Sequence, residues 1–97
     1  MCKPQKYNGW TNRATWNVAL WVANDEARYD TFIILCKELV KDGKMWTAEY
    51  ALQMSIGAPL FHDGKTPDGD LLSKVNWDEI AEAWNEDVKD IMEASNV

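Results

Sequence analysis

Carboxylates dominate the last stretch of the chain, where they recur at helical spacing. Residues 76–97 contain seven acids and one base, whereas residues 1–75 contain nine of each, so the entire formal charge of −6 falls on the end of the chain. A helix carrying such a stripe can dock on a basic protein, including one that normally binds nucleic acid. It can instead be a solvated face that only keeps the protein soluble. On the first interpretation, the partner-binding residues are Asp78, Glu82, Glu86, Asp87, Asp90 and Glu93.

A second candidate surface lies near the start of the chain, in the segment WTNRATWN. Trp10, Arg13 and Trp16 are of the types that form an aromatic and cationic shelf, which can stack a base or grip a carboxylate. The structural alternative is a helix cap followed by aromatic side chains of the core. We take Trp10 and Arg13 as a possible second binding surface.

The loop region offers two weaker chemical sites. His62 and Asp63 are an acid–base pair in type, but the sequence places no nucleophile beside them. Asp63, Asp68 and Asp70 are possible cation ligands, although their spacing does not match a calcium-binding EF-hand loop. We therefore expect a protein that is not an enzyme, with no cofactor and no metal site. An enzyme whose loop orders around a metal ion is the weakest alternative.

Length and charge narrow the class of protein further. A chain of 97 residues corresponds to one domain. The net negative charge argues against binding to nucleic-acid phosphates and to anionic membranes. No apolar run is long enough to span a bilayer, and the first residues do not resemble a signal peptide. Cys2 and Cys36 are expected to be free thiols in a cytoplasmic protein.

Hydrophobic periodicity predicts an all-α fold, a single-domain bundle of about four helices around an aromatic-rich first helix. Residues 1–6 are expected to be a flexible arm and residues 58–73 an irregular loop. Leu60 and Phe61 should anchor the near end of that loop, and Leu71, Leu72 and Val75 its far end. The predicted helices span residues 13–23, 26–41, 48–56 and 77–93.

Local signals set the helix starts and the expected packing. Thr11 or Asn12 is the candidate N-cap of the first helix, and Asn76 with Glu79 forms a capping-box pattern before the last one. The first helix is apolar on nearly every side, which predicts burial on nearly every side. Its amide residue Asn17 should then bond to the turn formed by Asn8 and Gly9. The last helix should pack its apolar stripe against the first helix through Trp77, Trp84 and Ile91.

Two stretches of the chain resemble a group of small, uncharacterised proteins from phages and other mobile elements. Residues 8–25, NGWTNRATWNVALWVAND, are similar to the opening signature N-G-W-T-N-x-x-T-W-N-V-x-L-W of that group, and residues 75–84, VNWDEIAEAW, are also typical of it. The resemblance implies an accessory protein in a bacterial host cytoplasm. It assigns no role to any residue. By analogy, small acidic proteins of that origin often inhibit host machinery such as restriction and CRISPR defence.

Taken together, these features predict a non-enzymatic accessory protein that binds and inhibits a host protein or complex through its acidic last helix. We expect no direct contact with nucleic acid or membrane. The alternative is a self-associating structural or assembly protein, in which apolar surface on the first two helices forms a homodimer.

Overall fold

A computed structural model describes residues 9–56, 60–61 and 64–95 and confirms the all-α prediction. That part of the chain forms one small domain with a single isolated antiparallel bridge, between Lys65 and Leu71. None of its helices has the length and apolarity needed to cross a bilayer. Its helices are α1 (Arg13–Asn24), α2 (Glu26–Lys41), α3 (Ala48–Ile56), a 3₁₀ turn (Leu72–Lys74) and α4 (Trp77–Ser95).

Capping residues explain where these helices begin and end. Of the two candidate caps of α1, Asn12 is the one used, since its Oδ1 accepts a hydrogen bond from the backbone N of Thr15 at 2.9 Å. Thr47 Oγ1 accepts from the backbone N of Tyr50 in the same way at the start of α3. Gly43, with φ of 69°, follows α2 in the left-handed conformation that favours glycine. The bounds of α2 and α3 are those predicted, while α1 and α4 extend slightly further.

The core is built around α4, which contacts α1, α2 and α3. The contact with α1 agrees with the prediction, but the ring contacts of Trp84 are with α2 and with the segment before α3 instead of with α1. Its Trp84 meets Phe32 of α2 at 5.1 Å and Trp46 at 4.8 Å between ring centroids, and Phe32 stacks on Trp46 at 5.9 Å. Aromatic pairs of this kind contribute about 0.5–1.5 kcal/mol each beyond their buried area. Cys36 is buried beside them, and Trp46 Nε1 donates to its sulfur at 3.4 Å. The cluster therefore joins α2 and α4 to Trp46, in the segment that leads into α3.

Helix α1 is buried on one side only, so the prediction of burial on nearly every side is wrong. Its buried residues are Ala14, Thr15, Asn17, Val18 and Val22. Trp16, Ala19 and Leu20 are half-buried, and Ala23 is exposed. In so short a chain, the elements that pack on α1 are too few to surround it.

The loop between α3 and α4 is anchored at both ends, largely as predicted. Leu60 and Phe61 are buried at its near end, where the guanidinium of Arg28 lies 5.1 Å from the centroid of the Phe61 ring. Leu72 and Val75 are buried at its far end. The expected anchor Leu71 is instead 43% exposed, because it lies before the 3₁₀ turn that buries Leu72.

Candidate protein-docking site

The starts of α1 and α4 lie side by side and share one hydrogen-bond network. Asn12 Oδ1 accepts from the hydroxyl of Thr15 at 2.7 Å, and that hydroxyl accepts from the backbone N of Asn76 at 2.8 Å. Asn76 Oδ1 caps α4 by accepting from the backbone N of Glu79 at 3.2 Å. The polar residues of the two motif stretches are therefore used to join the two helix starts.

A capping box also needs the Glu79 carboxylate to accept from the backbone N of Asn76, and this part of the prediction is wrong. The Asn76 backbone N is already bonded to Thr15, so the Glu79 carboxylate does not return to it. Glu79 Oε1 instead accepts from the backbone N of Thr11 at 2.9 Å. Asn76 Nδ2 donates to the hydroxyl of Thr11 at 3.2 Å. Glu79 thus ties the segment around Trp10 to the first turn of α4.

A carboxylate of the loop, that of Asp68, joins the loop to α1 through two hydrogen bonds. Its Oδ2 accepts from Asn17 Nδ2 at 2.8 Å and from Trp21 Nε1 at 3.0 Å. These two bonds, that from Asn17 first, lower the pKa of the Asp68 carboxyl below its usual value. The predicted bond of Asn17 to the turn of Asn8 and Gly9 stays a prediction. Asn8 lies outside the described residues, and within them Asn17 Oδ1 has no hydrogen-bond partner.

Arg13 and two loop carboxylates, those of Asp68 and Asp70, join α1 to the loop. Arg13 Nε donates to Asp70 Oδ2 at 3.0 Å, which ties α1 to the loop. Two of the three carboxylates considered for a cation therefore bind protein donors instead, namely Asp68 and Asp70. Across residues 9–56, 60–61 and 64–95, no group of three His, Cys, Asp or Glu side chains is placed to hold a metal ion. His62 and Asp63 lie outside these ranges.

The acidic face of α4 is exposed along its length, with one exception. Glu86, whose side chain is 71% exposed, is 3.4 Å from Lys89, the only base of this helix. Asp87 is the exception, because it is half-buried. Burial, and then the charges of Asp90 and Glu86, raise the pKa of its carboxyl. The exposed members of the predicted face are Asp78, Glu82, Glu86, Asp90 and Glu93.

The structure brings Trp10 of the second candidate surface onto the acidic face. An open groove of about 490 Å³ is lined by Trp10 together with Glu79, Glu82 and Glu86 of α4, and by Gly9, Ala83 and Lys89. Arg13 does not line it. An indole ring beside three carboxylates is a setting for a cationic side chain, through both ion pairing and a cation–π contact.

Sequence reasoning assigned Glu79 to a cap and so missed it as a groove residue. Its spacing of three from Glu82 was a signal, because residues three apart share a helix face. The position of Trp10 had no local signal, since it depends on the contact between the two helix starts.

The comparisons with known proteins give a family and no activity. The model of the family described as "Family of unknown function (DUF7249)" matches residues 3–97, so the chain belongs to this family. Neither the curated proteins nor the solved structures contain a match.

Proposed function

For this member of the DUF7249 family, we propose a non-enzymatic role in which the acidic face of α4 docks on a basic protein and inhibits it. The observation that carries the proposal is the groove in which Trp10 meets Glu79, Glu82 and Glu86. The setting we propose is that of a phage or mobile-element accessory protein in the cytoplasm of a bacterial host. The partner is a host protein or complex, such as a defence system, that normally binds nucleic acid.

Charge spacing supports a partner of that kind. The seven acids between Asp78 and Glu93 occupy roughly 24 Å of helix, about one charge per 3.4 Å along the axis. One strand of B-DNA likewise carries about one phosphate per 3.4 Å of helix axis. A basic cleft that binds a nucleic-acid strand would therefore meet a similar line of charge on α4.

The groove offers this partner a specific contact beyond long-range attraction. An arginine or lysine side chain entering it would lie against the half-buried indole of Trp10 and reach the carboxylates of Glu82 and Glu86. A planar guanidinium both stacks on aromatic rings and donates two parallel hydrogen bonds to a carboxylate. The groove is thus expected to hold an arginine of the partner, while the other exposed acids speed association.

The face also carries a cost that a purely solvated surface avoids. Asp78, Glu82, Glu86 and Asp90 follow one another at a spacing of four residues. Like charges at this spacing destabilise a helix by about 0.2–0.5 kcal/mol per pair. A surface that serves only solubility can mix both signs at no such cost, so the single-sign stripe favours a recognition role.

A pull-down from nuclease-treated host lysate tests the proposal, using three tagged proteins. The first is the wild type. The second, the acid-face variant, carries Glu82→Gln, Glu86→Gln and Asp90→Asn. The third, the control variant, removes three exposed acids from the region of α2 and α3 and so has the same net charge, through Glu38→Gln, Asp42→Asn and Glu49→Gln.

We expect the wild type and the control variant to capture the same protein and the acid-face variant to lose it. An excess of the wild type should suppress the nucleic-acid binding of the captured protein. An equal excess of the acid-face variant should leave that binding unchanged. Equal capture by all three proteins, or an equal loss in both variants, would remove α4 as the docking face.

Exposed apolar side chains favour self-association as a second candidate. Ile34 of α2 is 59% exposed and Ile56 of α3 is 52% exposed. Covering such groups is a common reason for a homodimer. Light scattering at two concentrations separates the two proposals, because a strict monomer counts against the assembly role.

A further inference from the structure

A second pocket, of about 220 Å³, lies between α1, α2 and α4. Phe32 and Trp84 are buried at its base, whereas Trp10 is half-buried and Tyr29 is 42% exposed. The ring of Phe32 is 6.2 Å from that of Tyr29 and 5.1 Å from that of Trp84, so three of the four rings form a continuous group. The pocket is smaller than the roughly 300–1,000 Å³ typical of sites for drug-sized ligands, which indicates a small ligand or headgroup.

One carboxylate, that of Asp87, lies among these rings. It is half-buried, and no donor or cation in the described part of the chain pairs with it. The nearby charges of Asp90 and Glu86 are of the same sign and raise the pKa of Asp87 further. The rest of the lining is apolar and small, with Ala83 as an example. A half-buried carboxylate without a partner is an unfavourable arrangement that a bound cation would relieve.

We propose that this pocket binds a methylated ammonium ion, with its methyl groups against the rings of Trp10, Tyr29, Phe32 and Trp84 and its charge beside Asp87. Aromatic rings attract such ions through cation–π contacts, and surround them in known recognition sites. The inference goes beyond the proposed docking function, and does not depend on it.

The scarcity of hydrogen-bond acceptors is the reason for choosing a methylated ion. An unmodified lysine ammonium has three N–H donors and an arginine guanidinium five. Either ion would lose its hydrogen bonds to water on entering the pocket. The pocket offers few acceptors in their place, apart from the Asp87 carboxylate and the Tyr29 hydroxyl. A fully methylated ammonium has no N–H donors, so it gives up no donated hydrogen bonds to water when it enters the pocket. This distinguishes the pocket from the open groove, whose three carboxylates suit an arginine.

Calorimetric titration with tetramethylammonium tests the proposal, alongside ammonium and guanidinium as ions that carry the same charge. Indole N–H signals of Trp10 and Trp84 in two-dimensional NMR spectra report whether binding occurs in this pocket. We expect tetramethylammonium to bind and to move these signals, with binding of the other two ions at least about fivefold weaker. A trimethyl-lysine peptide and free choline then show whether the headgroup is read on a protein or as a small molecule.

Three substitutions locate the site. Asp87→Asn should weaken tetramethylammonium binding at least about tenfold, because it removes the opposing charge at nearly constant shape. Tyr29→Ala should weaken it about two- to fivefold by removing one exposed ring. Asp90→Asn, which removes the same charge from an exposed position of α4, should change affinity less than twofold. Circular dichroism confirms that each variant is folded.

The proposal is overturned if tetramethylammonium does not bind, if ammonium and guanidinium bind equally well, or if Asp90→Asn weakens binding as much as Asp87→Asn. None of these outcomes affects the pull-down with the acid-face variant, because that variant leaves Asp87 and Tyr29 in place.

Discussion

Replacing Thr15 by valine tests whether the junction of the two helix starts stabilises the fold. The Thr15 side chain is buried, and its hydroxyl serves two bonds, accepting from the Asn76 backbone N at 2.8 Å and donating to Asn12 Oδ1 at 2.7 Å. Valine has nearly the same shape and a similar helix propensity. The substitution therefore removes the two hydrogen bonds and little else.

The expected loss of stability follows from those two bonds. Leaving a buried N–H without an acceptor costs about 1–3 kcal/mol, and the half-buried position of Asn76 places this case near the lower end. The lost bond from the Thr15 hydroxyl to Asn12 adds about 0.5–1.5 kcal/mol, which gives a total of about 1.5–2.5 kcal/mol. A domain of this size has only about 5–15 kcal/mol of total stability. The melting temperature should fall by roughly 6–20 °C, at about 4–8 °C per kcal/mol.

Urea unfolding followed by circular dichroism measures the loss, and Thr15→Ser is the matched control. Serine keeps the hydroxyl and deletes one buried methyl group, which costs about 0.8 kcal/mol. Valine keeps the methyl group of threonine and replaces the hydroxyl by a second methyl group. If Thr15→Val costs no more than Thr15→Ser, the hydroxyl contributes little and the network does not hold the two helix starts together.

Three titratable groups give further predictions. Burial raises the pKa of the Cys36 thiol to about 11, so iodoacetamide should modify Cys36 only as fast as the protein unfolds; rapid labelling of the native protein, read by peptide mass spectrometry, would contradict this. The pKa of Asp87 is raised on folding, so its contribution to stability is present at low pH and is lost as pH rises above the ordinary value of about 4. Asp87→Asn should therefore raise the free energy of unfolding at neutral pH, with the gain disappearing below about pH 4. Urea unfolding of the variant and the wild type across this range measures the gain; a variant that is no more stable than the wild type at neutral pH would contradict the prediction. The pKa of Asp68 is lowered, so its contribution is present above that ordinary value and is lost as pH falls through the lowered one. Asp68→Asn should lower the free energy of unfolding at neutral pH, and should reduce the further fall in that free energy as the pH is lowered. If the free energy of unfolding of the variant and of the wild type falls equally steeply with pH, the role of Asp68 is refuted.

The helices were predictable from sequence because local residues set their ends. The side chains of Asn12 and Asn76 cap α1 and α4, and Gly43 follows α2 in a conformation that only glycine adopts easily. Each signal acts within a few residues. The predicted bounds consequently agree with the structure within two residues.

Contacts between distant residues were not predictable in the same way. Asp68 lies 51 residues from Asn17 and 47 from Trp21, and nothing in its own neighbourhood indicates either partner. The side of α1 that is buried also depends on which elements pack on it. Since α1 is apolar on most sides, its hydrophobic periodicity does not show which side is buried.

The candidate groove was predictable in its parts and unpredictable as a whole. The acids of α4 are evident as a stripe, and Trp10 is evident as an unusual residue before a helix. Their meeting depends on the bonds that join Thr11 to Glu79 and Thr15 to Asn76. Those four residues lie within residues 8–25 and 75–84, so the two stretches of the sequence that carry distinctive motifs are the ones that meet in the fold.

The central claim, that the acidic face of α4 is a docking surface, is tested most directly by measuring partner capture and unfolding free energy on the same preparation of the acid-face variant. Removing like-charge neighbours should leave this variant as stable as the wild type, or more stable by about 0.5–1 kcal/mol. The account predicts that capture is lost although stability is kept, while the control variant retains both. If the acid-face variant captures the partner as well as the wild type does, the stripe is only a solvated face and the proposed function is wrong.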